Sequence, residues 1–253
     1  MRNISKKADL EIKSGDALNK TLFIRELDIC KSSTFEPVLD EIIKNEGTLD
    51  IVIQNAGVPC VAMLETLSET QIRSVIETNL IGPILLSQRI VPILKKQKSG
   101  HVIVISSQAG YIGVPYNEIY SASKFGIEGF SEGLAAQLAI DNVHFSLIEP
   151  GPVLTDIAKK VGSECRSAIA SAEVDEVTRE RFTEYLTSIT AKFHEVVQQT
   201  EDVADVIIKA LNDENPHLRY QTSQYQESVA MKKLVDITGD SNLNHMLKHL
   251  KDN

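Results

Sequence analysis

The sequence predicts an α/β protein built on a doubly wound parallel sheet. Short apolar, β-branched runs alternate with longer helical patterns along most of the chain. Two of those runs, at 101–107 and 143–151, are apolar almost without interruption. Continuous runs suit strands buried on both faces, and strand–helix alternation implies crossover helices covering a parallel sheet.

The elements follow in order. TLFIRELDI (21–29) reads as a strand and STFEPVLDEIIKNEG (33–47) as a helix stopped by Gly47. LDIVIQNAG (49–57) is a strand ending in a turn, and 68–98 is a long helical stretch. HVIVISS (101–107) is a buried strand, 118–140 a helix, and VHFSLIEPG (143–151) a buried strand ending at Pro-Gly. Residues 153–200 are helical, charged and free of strand patterns. An insertion after the C-terminal end of a strand lies where such sheets bind ligands, so this one is expected to cover a substrate. EDVADVIIKALND (201–213) resumes a helix, HLRYQTS (217–223) is a last strand, and the tail is polar. With no repeat, low-complexity segment or Pro/Gly-rich linker, residues 1–253 are expected to form one domain.

Composition narrows the class. The chain is 42% hydrophobic and 24% charged, with no tryptophan and a formal charge of −9. That balance excludes a general nucleic-acid binder, which needs a basic face. Cys30, Cys60 and Cys165 form no CxxC pair and no metal-ligand spacing, so reduced thiols in the cytoplasm are expected. No run approaches the ~18 apolar residues of a membrane span, and the polar start MRNISKKADLEIKSGD lacks the apolar core of a signal peptide.

The strongest chemical signal is Tyr-Ser-Ala-Ser-Lys, Tyr120 to Lys124, opening the helix at 118–140. Four residues is about one turn, so the phenol and the ammonium share a face. A free tyrosine titrates near 10, and a neighbouring cation favours its phenolate, which suits acid–base work. YxxxK alone is common, and context gives it weight. Ser107 ends the preceding buried strand, where a hydroxyl can hydrogen-bond a substrate oxygen while Tyr120 exchanges its proton. Ser106 competes for that role but points to the opposite face if the strand continues so far. Asn55-Ala56-Gly57 ends the strand at 49–54, where small residues let a flat ligand approach the backbone, although the triplet is also a plain turn signal. Asn79 lies inside the long helix before Gly82-Pro83, and a buried asparagine there needs partners at a helix irregularity. A serine hydrolase of the α/β type is excluded by the lack of a G-x-S-x-G turn.

Asn-Ala-Gly, Asn79, Ser107, Tyr-Ser-Ala-Ser-Lys and Pro-Gly-Pro-Val-x-Thr (150–155) stand in the order and spacing of the short-chain dehydrogenase/reductases, which the chain resembles along essentially its whole length. The segments QAGYIGVPYNEIYSASKFGIEGFSEGLA, FSLIEPGPVLTDI and PHLRYQTSQY resemble most the branch acting on retinol and estradiol. The resemblance implies a Rossmann-like sheet, an alcohol/carbonyl oxidoreductase for a lipophilic retinoid or steroid-like substrate, and a homodimer pairing the helices at 68–98 and 118–140. It implies Tyr120 as general acid/base, Lys124 lowering its pKa and holding the nicotinamide ribose, Ser107 orienting the substrate oxygen, and Asn79 supporting a proton-relay water. Asp28 would sit by the adenine, Asn55, Ala56 and Gly57 would line the cofactor, and Pro150, Gly151, Val153 and Thr155 would flank the nicotinamide.

Arg2 lies where the family's second strand ends, beside the adenosine ribose. An arginine there can pair with a 2′-phosphate, so NADP(H) is expected over NAD(H). Gln54 and Val58-Pro59-Cys60 depart mildly from the family pattern around Asn-Ala-Gly. A larger departure is at the front. Family members open with a strand, a T-G-x-x-x-G-I-G turn, a helix and a second strand, whereas here only Gly15 precedes Gly47. The resemblance therefore implies a sheet lacking its first βα unit and second strand, and with them the usual pyrophosphate cradle. Members of the branch also attach to membranes through C-terminal cysteines, and none lies beyond Cys165, so no such anchor is expected. The rival expectation is a catalytically inactive form serving as an interaction or dimerisation module.

Overall fold

The structure is a computed structural model that describes residues 1–155 and 174–235. Four parallel strands lie in the order β1 (Ile51–Gln54), β2 (Gly100–Ile105), β3 (Val143–Glu149) and β4 (Arg219–Gln221). The register sets Ile53 beside Ile103, and Val104 beside Leu147. Helices cover the two faces, as the alternating pattern predicts.

Local sequence explains the helices. Before β1, α1 (Ala8–Ser14) and α2 (Phe35–Glu46) form, and α2 buries Phe35 and Leu39. Gly47 ends α2 with φ of 80°, a left-handed conformation that costs glycine nothing. Ser68 and Gln71 make a reciprocal capping box that starts α3 (Glu69–Ile76). A π-turn at Glu77–Ile81 interrupts the long helix before α4 (Gly82–Gln97). That is the irregularity expected around Asn79, and π-turns often mark functional positions. Then follow α5 (Glu118–Leu138), α6 (Glu176–Val196), α7 (Thr200–Asn212) and α8 (Gln224–Val235).

The core lies in two layers because the strand side chains alternate. Val102, Val104, Phe145 and Leu147 meet α2, α4 and α5 through Phe35, Leu39, Leu86, Ile90, Leu94 and Ile127. Ile103 and Ile148 face the other way and meet α7 and Tyr220. This second layer stops short of β1, where Ile51 and Ile53 are each 47% exposed.

The expected strand at 21–29 does not form: residues 23–28 have no regular structure. A strand exists through its ladder, and among the described residues only Met1 offers one here. The Met1 amine donates to the Arg25 carbonyl at 2.6 Å, and the Leu27 amide donates to the Met1 carbonyl at 3.1 Å. Between this segment and β1 lies a cleft of about 590 Å³.

Of the expected helical insertion at 153–200, residues 156–173 lie outside the described residues. Val153 pairs with Gln198, and α6 packs Phe182 and Tyr185 against Met63 and Tyr116. Both rings lie 4.8 Å from the Tyr116 ring, four residues before Tyr120. Among the described residues no helix is long and apolar enough to cross a membrane.

Candidate active site

Parallel strands deliver their C-terminal ends to one edge, and the candidate residues collect there. Ser107 follows β2 in extended backbone and accepts from the Ala109 amide at 3.2 Å. Tyr120, in the first turn of α5, faces Ser107, whose hydroxyl favours its phenolate. One turn further on, Lys124 extends its ammonium over the Tyr120 ring, 5.6 Å from the centroid, and donates to the Ile105 carbonyl at 2.8 Å. Serine, phenol and ammonium thus meet at one strand end.

Burial sets their electrostatics. Lys124 is pulled down to about 8 by desolvation, which the nearby Glu128 charge opposes. Tyr120 is pushed above the ordinary tyrosine value by burial, opposed by the nearby Ser107 hydroxyl. The sequence leads one to expect the adjacent lysine to lower the tyrosine; in the folded chain the causes acting on Tyr120 are burial first and then Ser107. Lys124 stands at the ring face and is hydrogen-bonded elsewhere, so desolvation dominates. Near neutrality Tyr120 is a protonated phenol.

Asn79 is 2% exposed, and its amide is fully engaged. Its Oδ1 accepts from the Val58 amide at 2.8 Å, while Nδ2 donates to the Val58 carbonyl at 2.9 Å and to Ser123 Oγ at 3.0 Å. It therefore ties the Asn55–Gly57 turn to α5, where the sequence suggested a partner for a water. A Cβ built on Gly57 would stand 3.6 Å from Asn79 Oδ1 and 3.8 Å from Lys124 Nζ, so the turn closes directly on the reactive groups.

The remaining predicted residues border the same edge. Arg2, Asp28, Asn55, Ala56 and Gly57 line the cleft beside β1. Asp28 Oδ1 accepts from the Cys30 amide at 3.1 Å. Pro150 and Gly151 follow β3 and are held to the Ser107 side by the Gln108 amide, which donates to the Pro150 carbonyl at 2.9 Å. Val153 and Thr155 continue from there, Thr155 Oγ1 donating to the Val153 carbonyl at 3.5 Å.

The model of the short chain dehydrogenase family matches residues 2–166. The chain belongs to the short-chain dehydrogenases. It is 38% identical over 236 residues to retinol dehydrogenase 8 of Bos taurus, which covers 92% of this chain and 75% of that protein. It is 34% identical over 216 residues to the human 17-beta-hydroxysteroid dehydrogenase type 1, covering 85% of this chain and 65% of that protein. Among solved structures, a short-chain dehydrogenase from Streptomyces avermitilis superposes with a TM-score of 0.76 at 22% identity, covering 100% of this chain and 88% of that one. The short-chain dehydrogenase fold expected from sequence is therefore present, and the chain is an oxidoreductase by descent.

Sequence reasoning missed a buried charge cluster behind the site. Arg219 of β4 donates to Glu128 at 2.7 Å and also to Glu149 and Glu132. Glu149 and Glu128 are 0% and 2% exposed. A signal was available: a glutamate closing the apolar run VHFSLIE, and another one turn after Lys124.

Proposed function

We propose that this dehydrogenase interconverts an alcohol and a carbonyl on a lipophilic retinoid or steroid-like substrate, with NADP(H) as cofactor. The observation that carries the reading is the convergence of Ser107, Tyr120 and Lys124 at one strand end, bordered by the Asn55–Gly57 turn. The residues present suit the nicotinamide end of such a cofactor. Gly57 leaves only ordinary contact distance to Asn79 and Lys124, so a ring and ribose can lie against backbone there. When bound, the cofactor supplies or accepts the hydride at the substrate carbon.

The chain's own residues do the rest. Ser107 Oγ orients the substrate oxygen. In reduction, the Tyr120 hydroxyl gives its proton to that oxygen as the C–H bond forms, and Ser107 and the Lys124 charge stabilise the phenolate left behind. In oxidation the same atoms act in reverse. The buried cluster that α6 forms with Met63 and Tyr116 gives the site an apolar flank four residues from Tyr120, which suits an apolar substrate and excludes water.

The curated relatives are named for retinol and for a 17-beta-hydroxysteroid, which supports the substrate class. Arg2 at the cleft supports NADP(H), because a guanidinium there can pair with a 2′-phosphate. The test is to follow NADPH and NADH oxidation with all-trans-retinal and with estrone, for the wild type and Arg2→Ala. NADPH is expected to be preferred, and the preference to shrink about tenfold or more in Arg2→Ala. A preference for NADH that Arg2→Ala leaves unchanged would remove the cofactor assignment.

A homodimer through α4 and α5 is part of the same reading, supported by Phe125, which α5 leaves 41% exposed. Light scattering that finds only a 28 kDa species at micromolar concentration would count against it. A second reading, a non-catalytic pairing module, is favoured by the open face of β1, where Ile51 and Ile53 stand half exposed. Failure to bind either nucleotide would select it.

A further inference from the structure

The face of α5 that carries Tyr120 and Lys124 does not end with Lys124. Residues four apart lie one above the other on a helix, so Tyr120, Lys124 and Glu128 form one stripe. Each meets a different residue of the same strand end. Tyr120 faces Ser107, Lys124 Nζ donates to the Ile105 carbonyl at 2.8 Å, and Ser106 Oγ donates to Glu128 Oε1 at 2.5 Å. We propose that Glu128 is a positioning residue for the hydride-transfer site: it fixes Ser106, and through it the placement of Ser107, and it supplies counter-charge to Lys124. The kinetic half of this proposal rests on the function proposed above.

Consecutive side chains of an extended strand point to opposite sides. Clamping Ser106 on one side therefore limits how far Ser107 can turn on the other, and Ser107 is itself extended, with φ −170° and ψ 162°. Ser106 is thereby committed to Glu128, which favours Ser107 for the substrate-facing role. Room for the clamp is exact: a Cβ built on Gly110 would stand 1.8 Å from Glu128 Oε1, so the loop after Ser107 admits no side chain there.

The charge argument follows from a count of partners. A carboxylate buried this deeply is costly unless it is paired. Glu128 faces Arg219 from β4, which also serves Glu149 from β3 and Glu132 from α5 itself. Tyr111, from the loop after Ser107, feels both Glu149 and Glu128. One guanidinium thus answers three carboxylates. The next cation along α5 is Lys124, one turn away, and Glu128 is the neighbouring charge that favours its ammonium form.

The test separates charge from position. The Lys124 ammonium is titrated by NMR of the whole chain labelled with 13C at lysine, its signal assigned with Lys124→Arg, in wild type, Glu128→Gln and Ser106→Ala. The midpoint is expected to fall by about one pH unit in Glu128→Gln and to stay in Ser106→Ala. Kinetics use NADPH and all-trans-retinal. Ser106→Ala is expected to lower kcat about tenfold or more with KM nearly unchanged, and Ser106→Thr, which keeps the hydroxyl, to restore it. In Glu128→Gln the alkaline limb of kcat/KM is expected to move to lower pH together with the Lys124 midpoint.

A Lys124 midpoint that does not move in Glu128→Gln overturns the counter-charge, and a kcat that does not fall in Ser106→Ala overturns the clamp. If the wild type turns over no substrate, the functional reading fails by itself, and the NMR midpoint alone decides this proposal. If Glu128→Gln does not fold, Glu128→Asp replaces it: the charge stays but is withdrawn from Ser106. A wild-type midpoint with a kcat as low as that of Ser106→Ala then supports the proposal, and any other pair of values overturns it.

Discussion

The two flanks of the sheet are built to different standards. At β3 and β4 both faces are covered: Leu147 and Ile148 are fully buried, and Arg219 ties Glu128 of α5 to Glu149 of β3. At β1 only one face is covered. Val52 packs into the α2–α4 layer, while Ile51 and Ile53 stand half exposed beside a cleft. The groups proposed to carry the chemistry rest on the covered flank and its neighbour β2, and the residues proposed for the adenosine end of the cofactor border the open one. Positions that need sub-ångström alignment are thus held by packing and hydrogen bonds from several elements. Positions that only receive a ligand are held by one or two.

The largest expected effect is on the covered flank. Tyr120→Phe is expected to lower turnover of retinal by about 10³-fold, since the phenyl ring keeps the packing and loses the hydroxyl proton. NADPH affinity, measured by calorimetry, is expected to stay close to wild type. Lys124→Ala is expected to damage both, because its ammonium touches the strand end as well as the tyrosine ring. If Tyr120→Phe kept more than a few per cent of activity, Tyr120 would lose its role and the contrast between the flanks its functional meaning.

Most of the covered flank was legible in the sequence, and the open flank was legible only in part. Continuous apolar runs located β2 and β3, and Tyr120, Lys124 and Ser107 declared themselves by type and spacing. The helix over 68–98 showed its irregularity through Asn79 and Gly82-Pro83. The segment 21–29 misled because β-propensity reports a side chain that suits a pleated surface, whereas a strand also needs a neighbour. Asn79 was found for its burial, but its partners, Val58 and Ser123, come from elements distant in sequence. The Arg219 cluster was invisible for the same reason. Its members are separated by up to 91 residues and meet only once α5 packs beside β3 and β4.

A smaller effect should appear in stability against pH, and it needs two variants to be seen. Glu149 is raised to about 7, by burial first and then by the charge of Glu128. The folded chain therefore keeps a proton that the unfolded chain releases near 4.5, and stability falls as pH rises from about 4.5 to about 7. His101 is lowered to about 4, by burial and then by His144, so the unfolded chain binds the extra proton. Its contribution is lost as pH falls from about 6.5 to about 4, and stability from this source rises with pH. The two oppose each other across the overlap. Relative to wild type, Glu149→Gln is expected to tilt Tm upward with pH between 4.5 and 6.5, and His101→Asn to tilt it downward. Each tilt is worth up to about 3 kcal/mol. Two variants with parallel profiles would show that neither group is shifted as its burial requires.

The smallest effect tests the open flank itself. Ile53 lies beside Ile103 in the β1–β2 register, on the face that α7 covers farther along the sheet. Its partner Ile103 is fully buried, while Ile53 keeps 47% of its surface in contact with solvent. Replacing it by threonine preserves the β-branch, and with it the strand propensity, and removes apolar surface that is already half wet. Chemical denaturation is expected to show a loss under about 1 kcal/mol, against about 3 kcal/mol for Leu147→Ala in the covered core. Threonine is also expected to improve solubility, because β1 pairs with β2 alone among the described strands and leaves an edge beside an apolar face. A loss at Ile53 as large as that at Leu147 would mean that the face is covered in solution. It should then depend on protein concentration, as a face closed by a second copy must. If it did not, the covering would lie within one chain, and the contrast between the flanks would vanish.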